Sequence, residues 1–224
     1  MKKQIPFSFQ APEFATLDNF IAGENKQLLF SLKNTTDQLI FIWGDKGVGK
    51  THLLEAMVFY YQSLAKNSFY LPLQIQQDFE PQMLESLETF DLVCLDNVDQ
   101  VAGDKDWELA LFNFFNRIRE SGGRLILSAG QNAHNLDIKL ADLRSRLSWG
   151  ITYQLRGLND VEKINALKIR AHLRGFMMDD KVAQFLMKHS SRDMSELMAL
   201  LDKLDYASLV EQKKLSIPFV KNYL

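Results

Sequence analysis

Gly44-Asp45-Lys46-Gly47-Val48-Gly49-Lys50-Thr51 is the stretch of this 224-residue chain that decides its fold. It matches G-x-x-x-x-G-K-[ST] at every fixed position. It follows an apolar run, Leu39–Trp43, and leads into a helical pattern that opens His52-Leu53-Leu54. Strand, glycine-rich turn and helix start, in that order, are what a phosphate-binding loop requires. The glycines let backbone N–H groups converge on phosphate oxygens, and the helix start adds a favourable dipole. Lys50 would bridge the terminal phosphates of a nucleotide, and the Thr51 hydroxyl would reach a magnesium ion.

Outward from this loop, short apolar runs alternate with helical patterns. The further runs are 69–73, 92–95, 125–127 with its flanks, and 151–155. Strands alternating with helices imply βαβ units and a parallel sheet covered on both faces. After Leu155 the pattern changes. Asn159 and Glu162 have the spacing of a capping box opening a helix towards Arg174, and Gly175 breaks it. A second helix is expected over 179–189 with Val182, Phe185 and Leu186 on one face. A third starts near Asp193 and carries Leu197, Leu201 and Leu204. The chain therefore reads as an α/β core over 13–157 and a small all-helical piece over 158–224. Before them, MKKQIPFSFQ reads as an extended arm within 1–12, bracketed by Pro6 and Pro12.

Composition narrows the function. The net charge of −2 argues against coating nucleic acid by charge alone. From Gln74 to Glu108 there are ten Asp or Glu residues and one Lys, a segment expected to present a face that repels phosphates. The single cysteine, Cys94, cannot form an internal disulfide, which fits a reducing cytosol. It lies in an apolar run, so it reads as a buried, inert thiol. No stretch approaches the roughly 18 apolar residues of a membrane span, and no apolar core follows the N-terminal lysines as in a secretory signal. The expected location is cytoplasmic, with no membrane partner. His52, His134, His172 and His189 have no Cys or His at metal-ligand spacing, which disfavours structural zinc.

A phosphate loop needs an acid at the end of a neighbouring buried strand. Leu92-Val93-Cys94-Leu95-Asp96 supplies it, and Asp96 would hold magnesium through water. The next residue is Asn97, where ATPases of this architecture usually carry an acid that activates the attacking water. An amide cannot take a proton, and a missing general base costs about 10²–10⁴ in rate. The site reads as built to bind nucleotide better than to hydrolyse it, unless another acid such as Asp99 substitutes.

These motifs resemble the DnaA/Hda family of AAA+ P-loop proteins. Gly-Val-Gly-Lys-Thr-His-Leu-Leu (47–54) is similar to the family's phosphate loop, and Leu17-Asp18-Asn19-Phe20 to the segment that lies beside the adenine. Further similarity runs through Ala102-Gly103-Asp104, Trp107-Glu108, Phe115-Asn116-Arg117-Ile118 and Leu143-Arg144-Ser145-Arg146-Leu147-Ser148-Trp149-Gly150. It continues in Leu173-Arg174-Gly175-Phe176 and Ile217-Pro218-Phe219-Val220-Lys221, so it covers nearly the whole chain. Asp96-Asn97 and the last two segments are closer to the Hda branch. The sequence ends at Leu224, short of the helix-turn-helix domain with which DnaA reads origin DNA, again the Hda arrangement.

The resemblance implies an AAA+ α/β core with a helical lid. It implies ADP or ATP bound by Asn19, Phe20, Gly44, Asp45, Lys46, Gly47, Val48, Gly49, Lys50, Thr51 and His52, with magnesium at Thr51 and Asp96 as a further expectation. The implied activity is to stimulate hydrolysis of DnaA-bound ATP while attached to the DNA-loaded sliding clamp, the polymerase beta subunit. That activity makes the protein a negative regulator of replication initiation. DNA would be met mainly through the clamp, and a homo-oligomer is among the assemblies such proteins form. Arg146 occupies the family's arginine-finger position, the group inserted into a neighbouring subunit's site; Arg144 is the second candidate. From the residues alone, pairing of Arg146 with Asp142 four positions earlier is the favoured reading, and only the flanking match to the family turns it to the finger. Gln4, Ile5, Phe7 and Phe9 are similar to a clamp-binding motif, a polar anchor followed by apolar plugs.

The chain also departs from the family. The sensor position after the fourth strand falls near Gly130, with Ser128 close by, and the expected lid arginine is Ser195. These residues favour a protein that activates a partner's ATPase over an efficient ATPase in its own right. Two competing readings are a self-hydrolysing AAA+ ATPase of the helicase-loader (DnaC-like) type, disfavoured by Asn97 and Ser195, and a truncated DnaA-like DNA-binding protein, disfavoured by the acidity.

Overall fold

The structure, a computed structural model, describes residues 15–224; the arm residues Gln4, Ile5, Phe7 and Phe9 lie outside them. Along the chain run α1 (Lys26–Asn34), β1 (Leu39–Trp43), α2 (Lys50–Ser63), β2 (Ser68–Pro72), β3 (Leu92–Asp96), α3 (Lys105–Ser121), β4 (Arg124–Ala129), α4 (Ala141–Leu147), β5 (Ile151–Gln154), α5 (Asp160–Leu173), α6 (Asp180–His189), α7 (Met194–Glu211) and α8 (Ile217–Val220). The chain divides into two compact units. One holds Asn34–Gly44 and Lys50–Gln154; the other holds Asp18–Lys33, Asp45–Gly49 and Leu155–Leu224.

In the first unit five strands form one parallel sheet in the order β2-β3-β4-β1-β5. The apolar runs form strands because their side chains are removed from water on both faces: β3 and β4 are buried along their whole length. Burying each Val, Leu or Ile contributes roughly 1.5–3 kcal/mol. Alternation along the strands divides the residues between two faces. Phe41, Leu71, Val93, Leu95, Leu125 and Leu127 share a core with Trp107, Leu111, Phe114, Phe115 and Ile118 of α3. The opposite set, including Tyr70, Cys94, Asp96 and Ser128, lies on the face towards which α2 starts. β5, at one edge of the sheet, is largely exposed, so the expected covering of the sheet is incomplete there.

Local chemistry sets where α3 and α4 begin. Asp104 caps α3, accepting from the backbone N–H groups of Asp106 (3.0 Å) and Trp107 (3.1 Å), and Gly122 ends it in the left-handed region. Glu108 is buried, yet its carboxylate accepts from the N–H groups of Gly103 (2.7 Å), Lys139 (2.9 Å) and Leu140 (2.7 Å). Those bonds offset the cost of burying a charge and fix the segment that leads into α4. The acidic segment 74–108 is therefore not one repelling face. Asp96 and Glu108 are interior, and Glu88 pairs with Arg117.

In the second unit the capping box forms as read: Asn159 Oδ1 accepts from the Glu162 N–H and Glu162 Oε2 accepts from the Asn159 N–H. Gly175, at φ +84°, closes α5 in a conformation that disfavours side chains. Leu167, Val182, Leu186, Leu197, Leu201, Leu204 and Phe219 form this unit's own core. No helix among the described residues is long and apolar enough to cross a membrane.

Candidate functional site

At the carboxyl edge of the sheet, the register brings the chemistry together. Tyr70 pairs with Cys94, and Leu95 pairs with Leu127, which places Asp96 alongside Ser128 and diagonal to Tyr70 on one face. The phosphate loop leaves β1, whose last residue Trp43 pairs with Ala129. The Gly44 N–H donates to the Ala129 carbonyl (3.3 Å), which continues the ladder by one residue. Lys50, buried at the start of α2, donates from Nζ to the Gly44 carbonyl (2.6 Å).

Asp96 is fully buried and accepts three hydroxyl protons. Thr51 Oγ1 donates to Oδ2 at 2.6 Å, Tyr70 Oη donates to Oδ2 at 2.8 Å, and Ser128 Oγ donates to Oδ1. Charge-assisted bonds of this kind are what allow a carboxylate in an otherwise apolar place. Burial first, and then the Asp96 charge, hold the Tyr70 phenol far above its ordinary range, so Tyr70 stays a donor. Burial likewise pushes the Cys94 thiol up, and it is fully inside, consistent with an inert thiol.

Asn97 sits in the left-handed region (φ 59°, ψ 55°), which Asn tolerates better than most residues. Its N–H donates to Ser128 Oγ (2.9 Å), and its amide donates to Gln74 Oε1 (3.0 Å). The group beside Asp96 is thus a donor held by a donor–acceptor pair, with no carboxylate in its place. Asp99, the alternative acid, takes the Gly130 N–H on Oδ1 (3.1 Å). That bond closes the turn after β4.

The middle of the loop, Asp45–Gly49, belongs to the second unit. Gly47 (φ +80°) has the Asp193 carboxylate and Ser195 hydroxyl where a Cβ would stand, at 2.7 Å and 2.9 Å. A side chain there would be strained and would clash. Gly49 (φ +103°) lies against the Phe20 ring, 3.4 Å from a Cβ position. Asp193 caps α7, and bonds from the Ser195 side chain and then the Glu196 N–H hold its carboxyl below the usual range. Asp45 and Lys46 are exposed.

Arg146 ends α4, away from this network. Its guanidinium lies 4.2 Å from the centroid of the Trp149 ring and 5.9 Å from that of Phe112. Trp149 is 62% exposed and also receives Arg119 at 5.7 Å. The pairing with Asp142 favoured from the residues alone does not form. Arg144 instead donates to the Ile138 carbonyl, committing it to the loop before α4.

Among the described residues no cluster of three His, Cys, Asp or Glu could hold a metal by itself. Thr51 and Asp96 fit a magnesium ion that arrives with a nucleotide, since such an ion takes most of its oxygens from phosphate and water. Sequence reading missed Tyr70 altogether. It weighed Ser128 only for the sensor role, and the structure places that hydroxyl on Asp96.

A five-stranded parallel sheet in this order, flanked by helices and entered by a phosphate loop after β1, with a helical unit after it, defines an AAA+ P-loop protein. A family model described as the bacterial DnaA ATPase domain matches residues 12–154, and one described as the Hda lid domain matches 160–224. The chain belongs to the DnaA/Hda family. An uncharacterized protein of Haemophilus influenzae is 46% identical over 229 residues, spanning 100% of this chain and 99% of its own. Domain III of the Thermotoga maritima replication initiation protein DnaA superposes with a TM-score of 0.80 at 20% identity, covering 95% of this chain and 96% of that one. AMPPCP-bound DnaA from Aquifex aeolicus gives 0.70 at 22% identity, over 87% of this chain and 66% of that one. At these identities the two structures speak to the fold alone.

Proposed function

We propose that this chain is a regulator of replication initiation that holds ADP and stimulates hydrolysis of the ATP bound to DnaA. Its own site supports binding without turnover. The phosphate loop supplies backbone donors, Lys50 and Thr51, with Phe20 on the side of Gly49 and Asn19, Val48 and His52 completing the binding segment. The residue beside Asp96 is the amide of Asn97, which takes no proton from water. Thr51 and Asp96 would hold magnesium, which neutralises phosphate charge when bound.

The observation that carries the reading is the presentation of Arg146. Its guanidinium rests on an exposed indole with no acid paired to it among the described residues. A planar fork held that way can meet phosphate oxygens of a second protein's nucleotide and offset charge that develops in the transition state. Membership of the DnaA/Hda family supports DnaA as that second protein. Gln4, Ile5, Phe7 and Phe9 would hold the protein to the sliding clamp, so DNA is met through the clamp.

The test is hydrolysis of DnaA-bound ATP with DNA-loaded clamp, in the presence and absence of this protein. The reading expects acceleration only when all components are present. Equal rates with and without the protein would overturn it.

A further inference from the structure

The middle of the phosphate loop carries a carboxylate that phosphate binding does not call for. Within the second unit, which holds both Asp45–Gly49 and Leu155–Leu224, the Asp193 side chain lies against Gly47. Its Oδ2 and Oδ1 stand 2.7 and 3.1 Å from where a Gly47 Cβ would be, with the Ser195 hydroxyl at 2.9 Å. Only a glycine at this place lets the acid come so near. Asp193 is also held there, because it caps α7 and its Oδ1 accepts from the Glu196 N–H at 3.1 Å. The bond from the Ser195 side chain, and then the one from Glu196, favour the ionised form, so the charge is present at neutral pH.

The neighbouring cations leave that charge standing. Arg192, the residue before it, turns to α5, with Nη1 3.4 Å from Asp160 Oδ2. Lys163 donates to the Arg192 carbonyl at 2.6 Å. Lys46 is exposed and acts on Asp193 more weakly than the Ser195 and Glu196 bonds do. Capping does not explain the charge either, since Ser, Thr or Asn caps a helix about as well as Asp.

We infer that Asp193 is a specificity residue of the phosphate loop, whose carboxylate turns away the terminal phosphate of ATP and leaves ADP as the nucleotide held. This rests on the nucleotide-binding reading above. ADP and ATP share base, sugar and inner phosphates, and differ by about one negative charge at the far end of the chain. Backbone N–H groups of the loop meet the phosphates that both nucleotides have, so they do not separate the two. A fixed like charge beside the loop does, by about tenfold at the separations and partial burial found at such a site.

The test is calorimetric titration of the full-length protein with ADP and with ATP, both in magnesium. For the wild type the Kd for ATP should be at least about tenfold weaker than the Kd for ADP. Asp193→Asn keeps the shape and the capping oxygen and removes the charge, and its ratio should fall to about threefold or less. If Asp193→Asn does not fold, Asp193→Ser caps α7 with a neutral oxygen and should close the same gap. A merely structural role would weaken both nucleotides together and leave their ratio as in the wild type. That outcome, or a wild type that binds the two equally, would overturn the inference and leave nucleotide binding standing. A wild type that binds neither nucleotide would overturn both.

Discussion

The guanidinium of Arg146 lies 4.2 Å from the centre of the Trp149 indole, three residues further along the chain. The contact spans the end of α4 and the turn before β5, so the ring holds the arginine at the surface of the first unit. An exposed cation–π contact is worth about 0.5–1 kcal/mol. Trp149→Ala should therefore lower stimulation of DnaA-bound ATP hydrolysis by only about two- to fivefold, and Trp149→Phe by less. Rates measured at fixed clamp and DnaA should show this order. No change on Trp149→Ala would mean that the stacking does not position the arginine.

Nucleotide should be held and not turned over. ADP at a hundredfold excess over its Kd should stabilise the protein by about 2.7 kcal/mol, a rise of about 5–10 °C in melting temperature for a chain of this size. Lys50→Ala should lose most of that rise, because the buried ammonium at the Gly44 carbonyl is removed from the loop. The purified wild type should show negligible ATP turnover, since Asn97 stands where a base is needed. Robust turnover abolished by Lys50→Ala would favour the self-hydrolysing ATPase.

The arm should act by itself. Replacing Gln4, Phe7 and Phe9 by Ala should remove clamp binding in a pull-down and leave the melting temperature close to wild type. A large fall in melting temperature would assign those aromatics to a core instead.

Gly150 should be intolerant for a packing reason. A Cβ there would stand 2.5 Å from Leu39 Cγ and 2.7 Å from the Leu39 carbonyl oxygen. Gly150→Ala must push β5 away from β1, at a cost of about 1–3 kcal/mol, read as a lower urea midpoint. An unchanged midpoint would contradict the close approach at Leu39.

Much of this was readable because its causes are local. The phosphate loop needs glycine at Gly47 and Gly49, both at positive φ, and the capping box of Asn159 and Glu162 is closed within one turn. The strands showed as apolar runs, with ends displaced by a residue or two where capping and pairing decide. Tyr70 was not readable, because its partner is set by strand register across the sheet. Nor were the short 3-10 turns between Leu73 and Thr89, which follow no single period. The resemblance already put Arg146 before Arg144; what it did not give is that Arg144 donates to the Ile138 carbonyl while Arg146 rests on an exposed ring.

The central claim is that Arg146 acts on a partner's nucleotide. It is tested most directly by hydrolysis of DnaA-bound ATP with DNA-loaded clamp, comparing wild type, Arg146→Ala and Arg146→Lys. An arginine supplied in trans is worth about 10³–10⁵ in rate where it has been measured in GTPases. Arg146→Ala should thus lose nearly all stimulation while keeping ADP and clamp binding. Arg146→Lys should be nearly as poor, because an ammonium lacks the planar fork. An Arg146→Ala protein that stimulates as well as wild type would contradict the account.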